Sequence, residues 1–273
     1  MEGDKGEPDI TMIKYPHIDP AIIKIGPFSL RWYGLMYVIG FASSYLLTIY
    51  QLKKRALKIE RTRIDDLYFY LIVGLIIGAR LGYILFYNLP FYFKNPLEIF
   101  VLWHGGMSFH GGLIGAFVAG YIYIKRKKLD FFLIIDLIIP TCPVGIGFGR
   151  LGNFINGELF GRPSDVPWAM VFPHGGNIPR HPSQLYEAFF EGFLLFVILW
   201  IYKDMKRREG DVFALFLILY GCFRIFCEFF REPDVQIGQI LGLFSMGQLL
   251  SGLTIAGGLF LKYYWLPKKT TRT

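Results

Sequence analysis

Between Gly149 and Asp165 the chain places two arginines, two asparagines, a glutamate, an aspartate and four glycines in 17 residues, directly after a long apolar run. Charge and backbone freedom at that density beside a membrane-like segment are costly, which points to a functional stretch and not merely a turning loop. A second set lies further on. Tyr220, Arg224, Glu228 and Arg231 are spaced 4, 4 and 3 apart. At ~100° per residue they share about 80° of one helix face. Arg224 and Glu228 can pair at i, i+4. Arg231 then leaves positive charge over, which suggests an anionic ligand. In a bilayer the common one is a lipid phosphate, which arginine suits through its planar fork of donors.

A third set is the run from Trp103 to Gly112, with paired glycines at Gly105-Gly106 and Gly111-Gly112 around His110. Irregular backbone at membrane depth is tolerated only where it lines a cavity or is buried in protein. His110 titrates near neutral pH and can serve as general base or as hydrogen-bond donor. His17, His104 and His174 read as structural. Arg80, in Gly78-Ala79-Arg80-Leu81-Gly82-Tyr83, is an intramembrane charge that must be paired or face a polar cavity. Glu187 and Glu191 enter a span as plausible partners for the arginines.

The elements that must position these residues are apolar spans. The chain has 273 residues, 53% hydrophobic and only 18% charged; soluble domains carry about 25% charged residues. Several runs exceed the roughly 20 residues needed to cross a bilayer. The pattern predicts an all-α, polytopic membrane protein with seven spans, near residues 28–51, 67–87, 108–124, 131–149, 184–202, 212–230 and 239–265. Pro140 and Pro143 should kink the fourth, and Pro182 suits an early helical position in the fifth. Leu97–Trp103 reads as a short interfacial helix. Residues 1–27 form an arm without an apolar core of its own, so no cleavable signal peptide is expected. One membrane domain over 28–265, with an outer loop at 150–183, and a cytoplasmic tail at 266–273 complete the division.

The net charge of +8 could point to nucleic acid, but its placement argues otherwise. The loops after spans one, three and five, with the tail and Lys262, hold 18 of the 29 Lys and Arg residues. That is the positive-inside pattern, and it sets the N-terminus outside and the C-terminus inside. Every polar cluster then converges toward the outer leaflet, where a polar cavity is expected. Cys142, Cys222 and Cys227 lie in apolar runs and offer neither a disulfide framework nor metal spacing. A transporter would distribute polar residues through the full depth. An intramembrane protease would want a Gly-x-Ser-x-Gly elbow or paired aspartates, and Asp136 is the only aspartate deep in a span. A membrane-bound acyltransferase would transfer through an ester at a His-based site, and product analysis separates it.

Six elements occur in order: Arg31-Trp32-Tyr33-Gly34, Gly78 to Tyr83, Gly105 to Gly112, Gly149 to Glu158, His181-Pro182-Ser183-Gln184-Leu185-Tyr186-Glu187, and Arg224 to Arg231. Together, over about residues 25–265, they resemble the prolipoprotein diacylglyceryl transferases of the bacterial plasma (inner) membrane. The resemblance implies transfer of the diacylglyceryl group of phosphatidylglycerol to the thiol of a lipobox cysteine in a prolipoprotein signal peptide, with a thioether formed and glycerol phosphate released. It implies His110, Arg150 and Arg224 as catalytic residues. Tyr33, Asn153, Glu158, Gly161, Tyr220, Glu228 and Arg231 are implied around them, and Arg80 is expected to bind substrate too. No cofactor or metal is implied.

Overall fold

The structure is a computed structural model of the chain and describes residues 13–16, 18–26, 28–101, 105–232, 239–240 and 244–266. His17, Trp103, His104, the first twelve residues of the arm and the tail beyond 266 lie outside the described residues. The chain groups into two compact units, residues 1–48 with 136–273 and residues 49–135.

Helix α1, Trp32–Lys54, runs from the first unit into the second. The second unit then holds α2, Arg61–Tyr87, the short α3, Leu89–Lys94, a 3-10 turn at Pro96–Phe100 and α4, Phe109–Arg126. Of the interfacial helix expected at Leu97–Trp103, residues 97–100 fall in the 3-10 turn and residues 102–103 lie outside the described residues; Pro90 and Pro96 each stand in the first turn of their helix. Helices α2 and α4 pack backbone to backbone through a stripe of small residues. A Cβ on Gly78 would sit 2.4 Å from the Gly111 carbonyl oxygen, and one on Gly115 would sit 2.2 Å from that of Gly74. Such stripes let membrane helices approach closely. At the start of α4, Ser108 Oγ accepts from Gly111 N at 3.2 Å, and Ser108 N donates to the Ala79 carbonyl at 2.9 Å. His110 is the second residue of this anchored helix.

In the first unit, β1, Ile13–Lys14, pairs in parallel with a later strand, and β2, Ala21–Ile25, forms an antiparallel hairpin with β3, Phe28–Arg31. The first span therefore begins at Trp32 and not at residue 28: the four residues before it satisfy their backbone groups across the hairpin. Helix α5, Phe131–Ile138, enters from the second unit and passes through a 3-10 turn at Ile139–Thr141 into α6, Cys142–Asn156. Pro140 and Pro143 sit at the turn and at the start of α6, which is the interruption expected of them. Gly157 closes α6 in the left-handed conformation, φ +66°. The connection that follows carries β4, Met170–Val171, the partner of β1.

The next rod is α7, Ser183–Glu187, a π turn at Ala188–Leu194 and α8, Leu195–Met205. Helix α9, Asp211–Glu228, starts against the buried Asp136, whose carboxylate accepts from Gly210 N at 2.8 Å and Phe213 N at 3.0 Å. An acid at a helix N-terminus satisfies orphan N–H groups and complements the dipole. Lys206 Nζ, 2.8 Å away, supplies the counter-charge. A short hairpin, β5 Gln239–Ile240 with β6 Phe244–Ser245, precedes α10, Met246–Phe260. The last helix thus starts seven residues later than the apolar run predicts, at a capping box of Ser245 and Gln248. Leu195, Leu199 and Val212 are fully buried between α8 and α9.

Among the described residues four helical rods are long and apolar enough to cross a membrane: Trp32–Lys54, Arg61–Tyr87, Phe131–Asn156 and Ser183–Met205. The shortest has 23 residues, about 34 Å at ~1.5 Å per residue. Their outward side chains include Leu46, Phe69, Ile77 and Phe193, each more than half exposed. Apolar surface of that extent fits a lipid environment, not water.

Candidate active site

The polar centre of the first unit is assembled by two helices that touch through glycines. A Cβ on Gly192, in the π turn, would sit 2.6 Å from the Cα of Gly147 on α6. That contact sets Arg150, one turn beyond Gly147, against two acids of the neighbouring rod. Arg150 Nε is 2.8 Å from Glu187 Oε2, and its Nη2 is 3.4 Å from Glu191 Oε2. Arg224 on α9 reaches the same pair, with Nη1 3.2 Å from Glu187 Oε1 and 3.5 Å from Glu191 Oε1. Its Nη2 is 2.9 Å from Glu228, the i+4 partner that the spacing predicts. Arg231 Nη1 lies 3.5 Å from Glu187.

This corrects one expectation. The second arginine on the α9 face does not leave charge over by count: Glu187 and Glu191 join Glu228, so three arginines meet three glutamates. What differs is depth. The side chains of Glu187 and Glu191 are 1% and 0% exposed, while those of Arg150 and Arg224 are 18% and 14% exposed. Glu187 and Glu191 lie behind, with Arg150 and Arg224 in front. A front of guanidinium groups on a buried anionic backing is suited to receive an anion.

Glu228 accepts from Ser245 Oγ at 2.9 Å, and its carboxylate lies 2.9 Å from the Cβ position of Gly247, so the start of α10 encloses it. Tyr220, one turn before Arg224, stacks on Phe216 and packs against the buried core between α8 and α9. Near the end of α6, Asn153 Nδ2 donates to Glu158 Oε1 at 2.9 Å, and Asn156 Nδ2 does so at 3.1 Å. Tyr33 packs over Gly152, beside Asn153, with its hydroxyl 3.1 Å from that of Tyr37.

Gly161, expected among the substrate-binding residues, has a backbone role. Its N–H donates to the His181 carbonyl at 2.9 Å, it bridges to Arg231, and a Cβ there would sit 2.4 Å from the Phe230 carbonyl oxygen. Arg162 reinforces the junction: its Nε donates to the Arg231 carbonyl at 2.9 Å. Ser183 and Gln184 hold the same stretch from the other side, through the carbonyls of Leu159 at 3.1 Å and Glu158 at 2.7 Å. His181 faces Tyr186, Nδ1 to hydroxyl 3.1 Å. Burial pushes its pKa below the usual imidazole value, and Asp165 pulls it partly back.

His110 and Arg80 belong to the second unit. His110 is exposed, with its ring edge-on to Phe109. Arg80 corrects a further expectation. It is buried, and each of its guanidinium N–H groups meets a backbone carbonyl: Nε that of Ile99 at 3.0 Å, Nη1 those of Gly105 and Gly106, Nη2 those of Glu98 and Val101. The Tyr92 ring lies 5.1 Å from its guanidinium carbon. Arg80 therefore organises the segment before α4, with no donor spare for substrate. No single-residue signal exposes the Arg80 cage or the depth of Glu187 and Glu191, because both depend on which helix faces which.

Comparison of the sequence with known proteins matches the chain to one family. The family model described as prolipoprotein diacylglyceryl transferase matches residues 20–264. A phosphatidylglycerol–prolipoprotein diacylglyceryl transferase of Geobacter sulfurreducens is 51% identical over 250 residues, covering 89% of this chain and 96% of the relative. Proteins of the same name from Bordetella parapertussis and Desulfotalea psychrophila are 52% and 48% identical, over 92% and 94% of this chain and 97% of each relative. The helical, membrane-suited build, the arginine front and these matches lead to one conclusion: this chain belongs to the prolipoprotein diacylglyceryl transferase family.

Proposed function

We propose that the protein transfers the diacylglyceryl group of phosphatidylglycerol to the thiol of the lipobox cysteine in a prolipoprotein signal peptide. A carbon–sulfur bond forms, the carbon–oxygen bond to the phosphate breaks, and glycerol phosphate leaves. The observation that carries this reading is the front of Arg150 and Arg224 on the buried acidic backing of Glu187 and Glu191. The leaving group is a phosphate ester, and donors aimed at charge that develops on it lower the barrier. The same arginines hold the anionic lipid in the ground state.

The nucleophile is the substrate's thiol. Its reference pKa of ~8.5 leaves little thiolate at neutral pH, so a base or positive field must assist. In this reading His110 takes the thiol proton or donates a hydrogen bond to the lipid. Tyr33, Asn153, Glu158 and Tyr220 shape the surroundings of the headgroup, and Glu228 orients Arg224. The enzyme works in the bacterial plasma membrane, with seven spans, the N-terminus outside and the site open toward the outer leaflet. The lysine-rich loops support that orientation.

The test combines purified protein, phosphatidylglycerol vesicles and a lipobox peptide. The peptide should gain the mass of one diacylglyceryl group, and a peptide with serine in place of cysteine should stay unmodified. Folded protein that leaves the cysteine peptide unmodified would overturn the reading.

A further inference from the structure

We infer that Glu187 and Glu191 are positioning residues that hold the arginines as one preformed phosphate cradle and limit how tightly it retains the departing glycerol phosphate. This rests on the proposed function and deepens it.

The geometry supports it in three ways. First, the two acids are shared and not paired one to one. Glu187 contacts Arg150, Arg224 and Arg231, and Glu191 contacts Arg150 and Arg224. Arginines on α6 and α9, with Arg231 just beyond α9, are thereby tied to one rod. Second, both acids are essentially inaccessible, while the arginines keep some exposure. Two carboxylates side by side in a buried site are tolerated only when paired and hydrogen-bonded. Third, Glu187 is followed directly by the π turn that contains Glu191, and π turns interrupt helices frequently at functional sites.

The chemical consequence follows from charge. The ion pairs engage Nε and Nη2 of Arg150 and both terminal nitrogens of Arg224. A phosphate bound to the cradle therefore feels arginines whose field the glutamates have partly offset. Full, unopposed positive charge would bind phosphatidylglycerol tightly and bind the product more tightly still, since glycerol phosphate carries more negative charge than the lipid phosphodiester. A moderated cradle favours release.

The test uses full-length protein in detergent, with Glu191→Gln, Glu187→Gln and Glu191→Asp. Glycerol phosphate affinity is measured directly by titration calorimetry, and kcat and KM with phosphatidylglycerol and a lipobox peptide. Glu191→Gln should bind glycerol phosphate at least about fivefold more tightly and lower the KM for phosphatidylglycerol, while kcat falls about tenfold or more. Glu187→Gln should change in the same direction. Glu191→Asp keeps the charge and should return glycerol phosphate affinity to within about twofold of wild type even where kcat stays low. A merely structural role predicts lower kcat with weaker or unchanged glycerol phosphate binding. That result in Glu191→Gln or Glu187→Gln, where the variant folds as judged by a retained melting transition, overturns the inference while leaving the transfer reaction intact. Wild-type protein that neither transfers the group nor binds glycerol phosphate sinks both readings.

Discussion

Gly192 and Gly147 meet so closely that a Cβ on Gly192 would lie 2.6 Å from the Gly147 Cα, whereas a Cβ on Gly147 would lie 3.3 Å from that of Gly192. The contact sits next to Glu191 and one turn from Arg150, so it sets the distance on which their 3.4 Å ion pair depends. The two alanine substitutions should therefore differ. Gly192→Ala forces α6 and the π turn apart and should lower transfer by at least about tenfold, with a lower melting temperature. Gly147→Ala requires a shift of only a few tenths of an ångström and should stay within about threefold of wild type. Initial rates and thermal unfolding in detergent check this, and equal losses would show that the interface is not the spacer.

Arg150→Lys tests the fork. Arg150 addresses two carboxylates with two different nitrogens, Nε at 2.8 Å and Nη2 at 3.4 Å. A lysine ammonium is a single point and cannot bridge both while also facing a phosphate. Losing one aligned donor to developing charge typically costs 10²–10³ in rate, about 2.7–4 kcal/mol. The expected kcat/KM is lower by about 100-fold. Near-normal turnover would remove Arg150 from phosphate recognition.

Arg80→Lys separates an architectural arginine from a binding one. Five backbone carbonyls share the Arg80 donors, and lysine offers at most three. At least two carbonyls lose their partner, at about 1–3 kcal/mol each where water cannot replace it. The melting temperature should fall, and limited proteolysis should open the segment between Asn95 and Ser108. A raised KM for phosphatidylglycerol with unchanged melting would return Arg80 to the substrate site.

These three cases also show what was legible in the sequence. The i, i+4 spacing of Arg224 and Glu228 announces their ion pair, because helix geometry alone brings them together. Pro140 and Pro143 announce the break between α5 and α6 for an equally local reason. Glu187 and Glu191 are visible only as possible partners, since their contact with Arg150 requires α6 to face α7 and the π turn, and that is decided by Gly147 meeting Gly192. The Arg80 cage is not visible at all, because backbone carbonyls carry no side-chain signature. The strand pairs β2–β3 and β5–β6 are missed for another reason. Their strands are only two to five residues long, too short for an alternating pattern to stand out beside a helix end.

The pH dependence of stability offers the last test, through His181. Its imidazole is held below the usual value by burial, with Asp165 opposing. In the unfolded chain a histidine titrates near ~6.5. Between that value and the lower folded one, the unfolded state binds more protons than the native state, so stability falls as pH drops. Above ~6.5 both states are neutral and the contribution is flat. The melting temperature of wild-type protein should thus decline from pH 7.5 to 5.5 more steeply than that of His181→Asn. Asp165→Asn removes the opposing charge, lowers the folded value further and should steepen the decline. Parallel profiles for wild type and both variants would show that the ring takes up a proton equally well in the folded and unfolded chain.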